Sequence, residues 1–410
     1  MNPSPPIFLP EDLITELLSF LPVKSLVRFK CVSNSWRTLI SDSTFVKLHL
    51  KKSATQNPMF TLVTHHMKTF PGESPYVSYE ENYSVVPYPI RTLLDNPAVS
   101  LFDDPYYYVK NKGSSKVIAS CNGLILLTGD FFNGIYKEFW FRLWNPATKT
   151  ISKEIGCFNF EKPFRFAFGC DDSTNTYKVV ASRYIRNQRT TEVRILSLDD
   201  DVWRDIESFP VVPLHLDYAE YKIYDGVYSG VYLSGALNWL AIHNNIDYHR
   251  YIIKNITVED FVIVSLDLRT EMYNQYLVPR GFDQVPPSEP TIGVLGGFLC
   301  FSYSYKKSDF VIWQMKKFGV EDSWTQFLKI SYQNLQIDYD INDDTKYFLQ
   351  LMPLLLSKDG DTLVLKSNKE DQAILYSWRD NRVERTKISK EGWICWQSFK
   401  AYVESLVPIY

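Results

Sequence analysis

The sequence predicts an α+β protein with two domains, in which a short helical segment is followed by a long all-β region. The spacing of apolar residues changes from helical to strand-like near residue 55. Beyond that point, short β-rich runs alternate with Gly, Pro, Asn and Asp, which is typical of repeated antiparallel sheets. The 410 residues, of which 15% are aromatic, suffice for two or three domains and favour strands.

Residues 9–52 are predicted to form a small group of helices, preceded by a flexible segment of residues 1–8. Apolar residues of the first helix recur at i, i+1, i+4, i+5 and i+8 and form one wide stripe: Leu13, Ile14, Leu17, Leu18 and Leu21. Pro10 suits the first turn of this helix, and Pro22 ends it. Ser33 is placed to cap a later helix that contains Trp36.

Residues 57–410 contain five similar units. In each unit two strands flank a tight turn whose residues can adopt positive φ, and these turns are Asn122-Gly123, Asp171-Asp172, Ser234-Gly235, Gly296-Gly297 and Asp359-Gly360. A third strand, a second turn and a fourth strand complete the unit. Four antiparallel strands that repeat in this way are typical of the blades of a β-propeller.

The five units cover about residues 115–388 and leave β-rich segments at both ends of the region. A propeller has to close its ring in order to protect its last strand edge. We therefore expect strands within residues 58–90 to pair with a C-terminal segment, residues 393–410, which gives an all-β propeller of about six four-stranded blades. A ring of five or seven blades and a pair of packed sheets are the alternatives.

Charge and composition argue against several classes of partner. The formal net charge is −3, so no overall basic field indicates binding of nucleic acid or of a membrane surface. No apolar run approaches the ~18–20 residues of a membrane span, and the first residues lack the pattern of a secretory signal. Six cysteines without a CxxC pair indicate neither a disulfide framework nor a zinc ribbon. We expect a cytoplasmic or nuclear protein with no metal and no cofactor.

The N-terminal region resembles an F-box of the plant type. The motifs that carry this resemblance are Leu9-Pro10-x-x-Leu13, Leu21-Pro22-Val23-Lys24-Ser25-Leu26, Phe29-Lys30-Cys31-Val32-Ser33 and Trp36-x-x-Leu39-Ile40. Downstream, the motifs at residues 120–124, 144–148 and 402–406 resemble the plant F-box-associated, kelch-like domain. Together they span nearly the whole chain, which is therefore similar to F-box/kelch-repeat proteins, a family related to the S-locus F-box proteins.

The resemblance implies that the F-box docks on a Skp-type adaptor and, through it, on the cullin and RING proteins of an SCF-type ubiquitin ligase. A unit of about 45 residues rarely builds a sufficient core alone, which independently favours a partner. Helix-on-helix docking would use Leu9, Pro10, Leu13, Leu17, Leu21, Pro22, Leu26 and Val27. The core of the F-box is predicted to contain Phe29, Val32, Trp36, Leu39, Ile40 and Phe45.

The sequence predicts no bond chemistry within the chain. GxSxG, GxGxxG and P-loop motifs are absent from it. The leading hypothesis is therefore a non-catalytic adaptor subunit whose propeller captures a protein substrate for ubiquitination. The alternatives are a self-incompatibility F-box protein that recognises a secreted ribonuclease, and a propeller enzyme.

The substrate is expected to bind on one particular side of the propeller. In a four-stranded meander, the turns between strands one and two and between strands three and four lie on one side and are short here. The other side carries longer loops, two of which are dense in tyrosine and acidic residues, and tyrosine gives a large contact area for little lost entropy. The candidate substrate-binding residues are Tyr218, Tyr221, Tyr224, Asp225, Tyr228 and Tyr248. Long loops that vary and stay solvated are the alternative interpretation.

Overall fold

The computed structural model begins with a group of four helices. The structure describes residues 9–56, 58–69, 79–99, 109–110, 116–132, 137–160, 164–185, 187–214, 230–243, 256–337, 349–368, 370, 372–388, 393–394 and 399–409. The four helices are α1 (Glu11–Ser19), α2 (Val23–Phe29), α3 (Asn34–Ser41) and α4 (Ser43–Gln56).

Local sequence signals explain where these helices begin. Pro10 and Pro22 occupy the N-cap positions of α1 and α2 with extended backbone. The Ser33 hydroxyl accepts a hydrogen bond from the Trp36 N–H at 3.2 Å, so Ser33 caps α3 as predicted. The Asp42 carboxylate accepts the N–H groups of Thr44 and Phe45 at 2.8 and 3.2 Å, which lowers the pKa of this carboxyl and starts α4.

The chain then enters a long hairpin and continues through short elements. These are β1 (Pro58–Thr69), β2 (Tyr79–Pro89), α5 (Ile90–Asp95), β3 (Ala98–Val99) and β4 (Val109–Lys110). Strands β1 and β2 pair antiparallel along their whole length, from Met59 opposite Pro89 to Thr69 opposite Tyr79.

Five antiparallel blades follow. Blade 1 consists of β5 (Lys116–Cys121), β6 (Leu124–Phe132) and β7 (Lys137–Asn145), with β8 (Thr150–Ile151) and β9 (Ile155–Phe160) sharing the fourth position. Blade 2 consists of β10 (Arg165–Asp171), β11 (Thr176–Ile185), β12 (Thr190–Ser197) and β13 (Val202–Asp205). In blade 3 the innermost position is shared by β14 (Val212–Pro213) and β15 (Val231–Leu233), followed by β16 (Ala236–Ile242), β17 (Phe261–Asp267) and β18 (Tyr273–Leu277).

The last two blades are regular. Blade 4 consists of β19 (Thr291–Leu295), β20 (Phe298–Tyr305), β21 (Asp309–Met315) and β22 (Trp324–Ser331). Blade 5 consists of β23 (Leu351–Leu356), β24 (Thr362–Ser367), β25 (Ala373–Ser377) and β26 (Arg382–Arg385). The chain ends with β27 (Lys387–Ile388), β28 (Trp393–Ile394) and β29 (Lys400–Val403).

Large apolar side chains fill the spaces between neighbouring blades. Phe141 of blade 1 and Phe166 of blade 2 meet edge to face, with ring centroids 4.9 Å apart. Phe282, which follows blade 3, contacts Phe301 of blade 4 in the same manner at 5.0 Å. Such aromatic pairs stabilise by about 0.5–1.5 kcal/mol beyond the area they bury. The core of the propeller is therefore a series of layers between blades.

A composite sheet completes the ring. Strand β29 pairs with β1, from Pro58 opposite Val403 to Thr61 opposite Lys400, and β28 pairs with β1 further along. Tyr402 of this sheet packs against Ile125 of blade 1, while Leu93 of α5 packs against Leu355 of blade 5. The first and last strands of the propeller region thus lie together between blade 5 and blade 1.

The described residues form five blades of consecutive strands, so the prediction of about six blades is wrong in number. The composite sheet is not a sixth repeat, because its order β28-β1-β2-β4, with β29 also on β1, joins strands from both ends of the chain. The five units recognised from their turns correspond to the five blades.

Candidate adaptor-binding surface and substrate face

The first helix of the F-box presents leucines to solvent. Leu13 and Leu17 are 52% and 59% exposed, and Leu9 before the helix is also exposed. Because these side chains are spaced by four residues, they follow one face of α1. Leu18 lies on the other face, in the core. The helix thus keeps one apolar face inside and one outside.

The turn and the second helix extend this exposed apolar surface. Pro22 is exposed, Leu21 is half-buried and Val27 is exposed. Leu26, in contrast, is fully buried beside Val23, so it belongs to the core and is not available to a partner. Because α2 is only seven residues long, Val23 and Leu26 are its only buried residues and form the face that points to the core.

Phe20 belongs to the same surface, although it was not among the adaptor-binding residues predicted from the sequence. Its ring is exposed at the end of α1 and lies 4.3 Å from the Lys52 ammonium. The apolar stripe predicted for the first helix contains Leu17 and Leu21 but not Phe20. We define the adaptor surface by its exposed members: Leu9, Pro10, Leu13, Leu17, Phe20, Pro22 and Val27.

The predicted core of the F-box is present with one correction. Ile40 and Phe45 are buried, and Leu39 packs against the same cluster. Phe29 and Trp36 meet edge to face with centroids 5.2 Å apart. Val32 is 64% exposed and was wrongly placed in the core, because it lies in the turn between α2 and α3 rather than on a helix face.

His49 is the buried titratable group of the F-box. Its Nε2–H donates a hydrogen bond to the Leu21 carbonyl at 2.9 Å, and its ring stacks on Phe45. Burial lowers the pKa of His49, and the bond to Leu21 only partly opposes this shift. The folded F-box therefore favours the neutral imidazole. The hydrogen bond of His49 to Leu21 connects α4 to the turn after α1.

The F-box lies on the turn side of the propeller. Ala147, in the turn between strands three and four of blade 1, packs against the hydrophobic core of the F-box, and so do Leu406 and Val407. Gly123, in the turn between strands one and two of that blade, lies directly against Ser405. The side with the loops between strands two and three therefore faces away from the F-box.

A central cavity of about 250 Å³ lies among the innermost strands. Described residues from all five blades and from the C-terminal strand line it, among them Ala119, Phe168, Val231, Ile292, Pro353 and Lys400. Lys400 begins β29, whereas Ala119 lies near the turn-side end of β5 and Val231 lies just before the Ser234-Gly235 turn of blade 3. The cavity therefore extends along the innermost strands in the centre of the ring.

The candidate substrate-binding residues Tyr218, Tyr221, Tyr224, Asp225, Tyr228 and Tyr248 lie outside the described residues. The described residues on either side of positions 215–229 in the sequence, Leu214 and Gly230, both line the central cavity. The Leu214 N–H donates to the Leu240 carbonyl at 2.9 Å, and the next strand pairs Val231 with Asn238. Strands β14 and β15, which precede and follow the tyrosine-rich segment in the sequence, thus both pair with β16.

The buried thiols are held in their protonated form. Cys121 is buried, and desolvation raises the pKa of its thiol well above the usual value. Burial raises the pKa values of Cys170 and Cys300 to about 12. A thiol needs to ionise to act as a nucleophile, so these three side chains suit packing. In the part of the chain that the structure describes, no group of three or more His, Cys, Asp or Glu side chains could hold a metal ion, and no helix is long and apolar enough to cross a membrane.

Comparison with known families agrees with both domains. Residues 83–409 match the F-box associated beta propeller domain, and residues 8–48 match the F-box domain. The chain belongs to the family of plant F-box proteins with this propeller. An F-box followed by a propeller indicates a substrate-recognition adaptor of an SCF ubiquitin ligase, and the F-box implies binding to a Skp-type adaptor.

Individual relatives align over most of the chain. The F-box/kelch-repeat protein At3g23880 of Arabidopsis thaliana is 29% identical over 339 residues, 78% of this chain and 79% of the relative. The F-box protein CPR1 of Arabidopsis thaliana is 24% identical over 88% of this chain and 80% of the relative. Among solved structures, the β-propeller domain of the trilobed protease from Pyrococcus furiosus aligns at a TM-score of 0.38 and 12% identity, covering 81% of this chain and 83% of that one.

Proposed function

We propose that this protein recruits a protein substrate to an SCF-type ubiquitin ligase and that its two sides divide this task. The adaptor surface on the F-box binds the Skp-type adaptor, and the loop side of the propeller binds the substrate. The observation that carries the proposal is the exposed row of Leu9, Leu13 and Leu17 on a helical unit that packs on the turn side of the ring, away from the loops between strands two and three.

The energetics of docking support this assignment. Full burial of a large apolar side chain contributes about 1.5–3 kcal/mol, and about half of that when the side chain is already half-buried. The five largest members of the adaptor surface, Leu9, Leu13, Leu17, Phe20 and Val27, would together contribute about 4–8 kcal/mol. This is of the same order as the association cost of about 4–15 kcal/mol. The surface can therefore supply a large part of the binding free energy.

The substrate side is centred on the cavity. In support, Leu214 and Gly230, the described residues that flank the tyrosine-rich segment in the sequence, both line this cavity. Tyrosine is among the residue types that carry most of the binding energy in protein interfaces. The acidic members of the segment favour a substrate region with basic residues.

The protein itself performs no bond chemistry in this proposal. It raises the local concentration of substrate lysines near the ubiquitin-charged enzyme, which accelerates transfer through proximity. We also propose that it acts in the cytoplasm or nucleus. In support, the described cysteines are free thiols, as is usual in reducing compartments.

The adaptor surface is tested by replacing Leu13 and Leu17 together with lysine. We expect binding to a purified Skp-type adaptor, measured by titration calorimetry, to weaken by about 3 kcal/mol, or ~100-fold. The matched control is Leu277→Lys, because Leu277 is 58% exposed on the outer strand of blade 3. Equal affinities for the double variant and the control would refute the assignment of the adaptor surface.

The substrate side is tested in the same Leu13→Lys, Leu17→Lys background, in which captured substrates escape degradation. Gly293 lies in the cavity wall with φ outside the left-handed region, and a Cβ there would meet no atom within 4 Å. Gly293→Leu should therefore fill the cavity without straining the strand. Tyr221→Ala or Tyr224→Ala should cost substrate binding about 1–2 kcal/mol.

The readout is the set of proteins that co-purify from plant extract, quantified by mass spectrometry. The proteins lost with Gly293→Leu should also be lost with the tyrosine variants and retained with Lys358→Ala, an exposed change on the turn side. An unchanged set for all the loop-side variants would move the substrate site to another surface.

A further inference from the structure

The last residues of the chain take part in the core of the F-box. Leu406 is 5% exposed and packs among Leu18 of α1, Leu26 of α2, Ile40 of α3 and Phe45 of α4. It lies some 360 residues along the sequence from these partners, and it is the propeller's closing strand that delivers it there. The F-box thus completes its core with a side chain that the propeller holds.

The same segment is anchored to blade 1 by Asn145. This side chain is fully buried, and its Nδ2 donates to the carbonyls of Ser405 at 3.1 Å and of Val407 at 2.9 Å. Its Oδ1 accepts the N–H groups of Ala147 and Thr148 at 3.1 and 3.3 Å. The amide therefore uses both its donors on the C-terminal segment and its acceptor on its own turn.

Two further contacts hold the segment in place. Val407 packs both against the F-box core and against the core between blades 1 and 2. Gly123 has a φ of +80°, and a Cβ at this position would overlap the side chain of Ser405. Glycine here therefore satisfies the backbone conformation of the turn and also makes room for the segment.

Comparison with blade 3 shows what is special about Asn145. Asp267 occupies the equivalent turn, and its Oδ1 accepts the N–H groups of Arg269 and Thr270 at 2.8 Å each. An acidic side chain therefore suffices to form the turn. What Asn145 adds is the N–H pair that binds the chain end.

We propose that residues 405–407, which we call the C-terminal pin, lock the F-box onto blade 1 and thereby fix the orientation of the adaptor surface relative to the substrate side. The functional part of this proposal rests on the proposed role in a ubiquitin ligase. Because the ligase transfers ubiquitin across a fixed geometry, the pin makes Asn145 and Leu406 positioning residues for the choice of lysines that are modified. The pin itself is a property of the chain and can be tested without any partner.

The structural test measures distances between spin labels on Cys31 of the F-box and Cys157 of blade 1, both of which are exposed. Cys395→Ser removes the sixth cysteine of the chain. We expect one narrow distance distribution in this background. Asn145→Asp keeps the acceptor of the turn but presents a carboxylate to two carbonyls, so the narrow distribution should be lost.

Three variants separate loss of the pin from general damage. Leu406→Ala should also broaden the distribution, whereas Leu406→Met, which conserves volume, should restore it. Asp267→Ala perturbs the equivalent turn of blade 3 and should leave the distance unchanged. If Leu406→Ala unfolds the F-box, the distance distribution of Asn145→Asp still tests the proposal, because this substitution replaces no side chain of the F-box core. A narrow, unshifted distribution in Asn145→Asp overturns the proposal.

The functional test uses the chain assembled with purified Skp-type adaptor, cullin and RING protein, with the propeller's own lysines as ubiquitin acceptors. We expect the wild type to modify a restricted set of lysines and Asn145→Asp to modify a wider set at unchanged adaptor affinity. An identical set in both would overturn the positioning role. If even the wild type accepts no ubiquitin while the spin-label distance depends on Asn145, the proposed ligase function fails and the pin stands.

Discussion

In the F-box, Leu9, Leu13 and Leu17 lie in solvent, and the core is a single small cluster around Phe45. In the propeller, large side chains such as Phe141 and Phe301 are fully buried between blades. The propeller can thus close its core with its own strands, whereas the F-box leaves apolar surface exposed and takes Leu406 from the end of the chain. The difference separates a unit that fills its core with its own strands from one that takes a core side chain from outside its own segment and leaves apolar surface exposed.

The largest effect should follow from removing residues 391–410. This truncation exposes the edge of β1, removes the buried Tyr402 and takes Leu406 from the F-box. We expect aggregation and loss of cooperative unfolding, measured by light scattering after size exclusion and by circular dichroism. Removing only residues 405–410 should leave β29 paired with β1 and destabilise the F-box more than the propeller, although Val407 also packs between blades 1 and 2. A monomeric 391–410 truncation that melts cooperatively would contradict the closing role of β29.

A pair of cavity-creating substitutions would separate the two regions. Phe45→Ala and Phe141→Ala each remove a fully buried ring, at a cost of about 3–5 kcal/mol. We expect Phe45→Ala to abolish adaptor binding while the melting of the propeller is retained, because the loss falls on the small F-box core.

Phe141→Ala should lower the melting temperature of the propeller, measured by circular dichroism. Hydrogen exchange, measured in the F-box helices and in blade 1, shows which of these two regions each substitution destabilises. The comparison fails if Phe45→Ala lowers the melting temperature of the propeller as much as Phe141→Ala does.

The smallest effect should be a pH dependence confined to the F-box. Burial lowers the pKa of His49, so the unfolded chain, with an ordinary histidine pKa near 6.5, binds more protons than the folded F-box. The stability of the F-box should be complete above about pH 6.5 and should decrease as the pH falls below it.

Hydrogen exchange of α4 between pH 7.5 and pH 5, corrected for intrinsic rates, measures this effect. His49→Gln should reduce the pH dependence, since a glutamine cannot titrate but can still donate to the Leu21 carbonyl. The same dependence in the glutamine variant would assign it to other groups.

Much of the fold was readable from the sequence because its signals are local. Turns such as Asn122-Gly123 and Gly296-Gly297 need positive φ, and the structure has these residues at positive φ. The spacing of Leu13, Leu17 and Leu18 predicts an amphipathic helix wherever that helix finally packs. The five repeated units and the group of N-terminal helices follow from such short-range patterns.

The candidate sites were only partly predictable for the same reason. The spacing of apolar residues on a helix does not show which edge of the apolar face points to the core, so the sequence does not reveal that Leu26 is buried and Phe20 exposed. Nor does it reveal that Val32 lies in an exposed turn instead of the core. The number of blades depends on whether two chain ends make a regular repeat, and β29 paired with β1 makes a composite sheet instead.

The sequence by itself determined the class of the protein, its helical F-box, its repeated blades and the exposed leucines of α1, because each rests on residues within a few positions of one another. The tertiary structure alone decided that Leu406 completes the F-box core, that Asn145 holds the chain end, and that Leu214 and Gly230 both line the central cavity. These contacts join residues that no local pattern links. They exist only because closing the ring brings the two ends of the chain together.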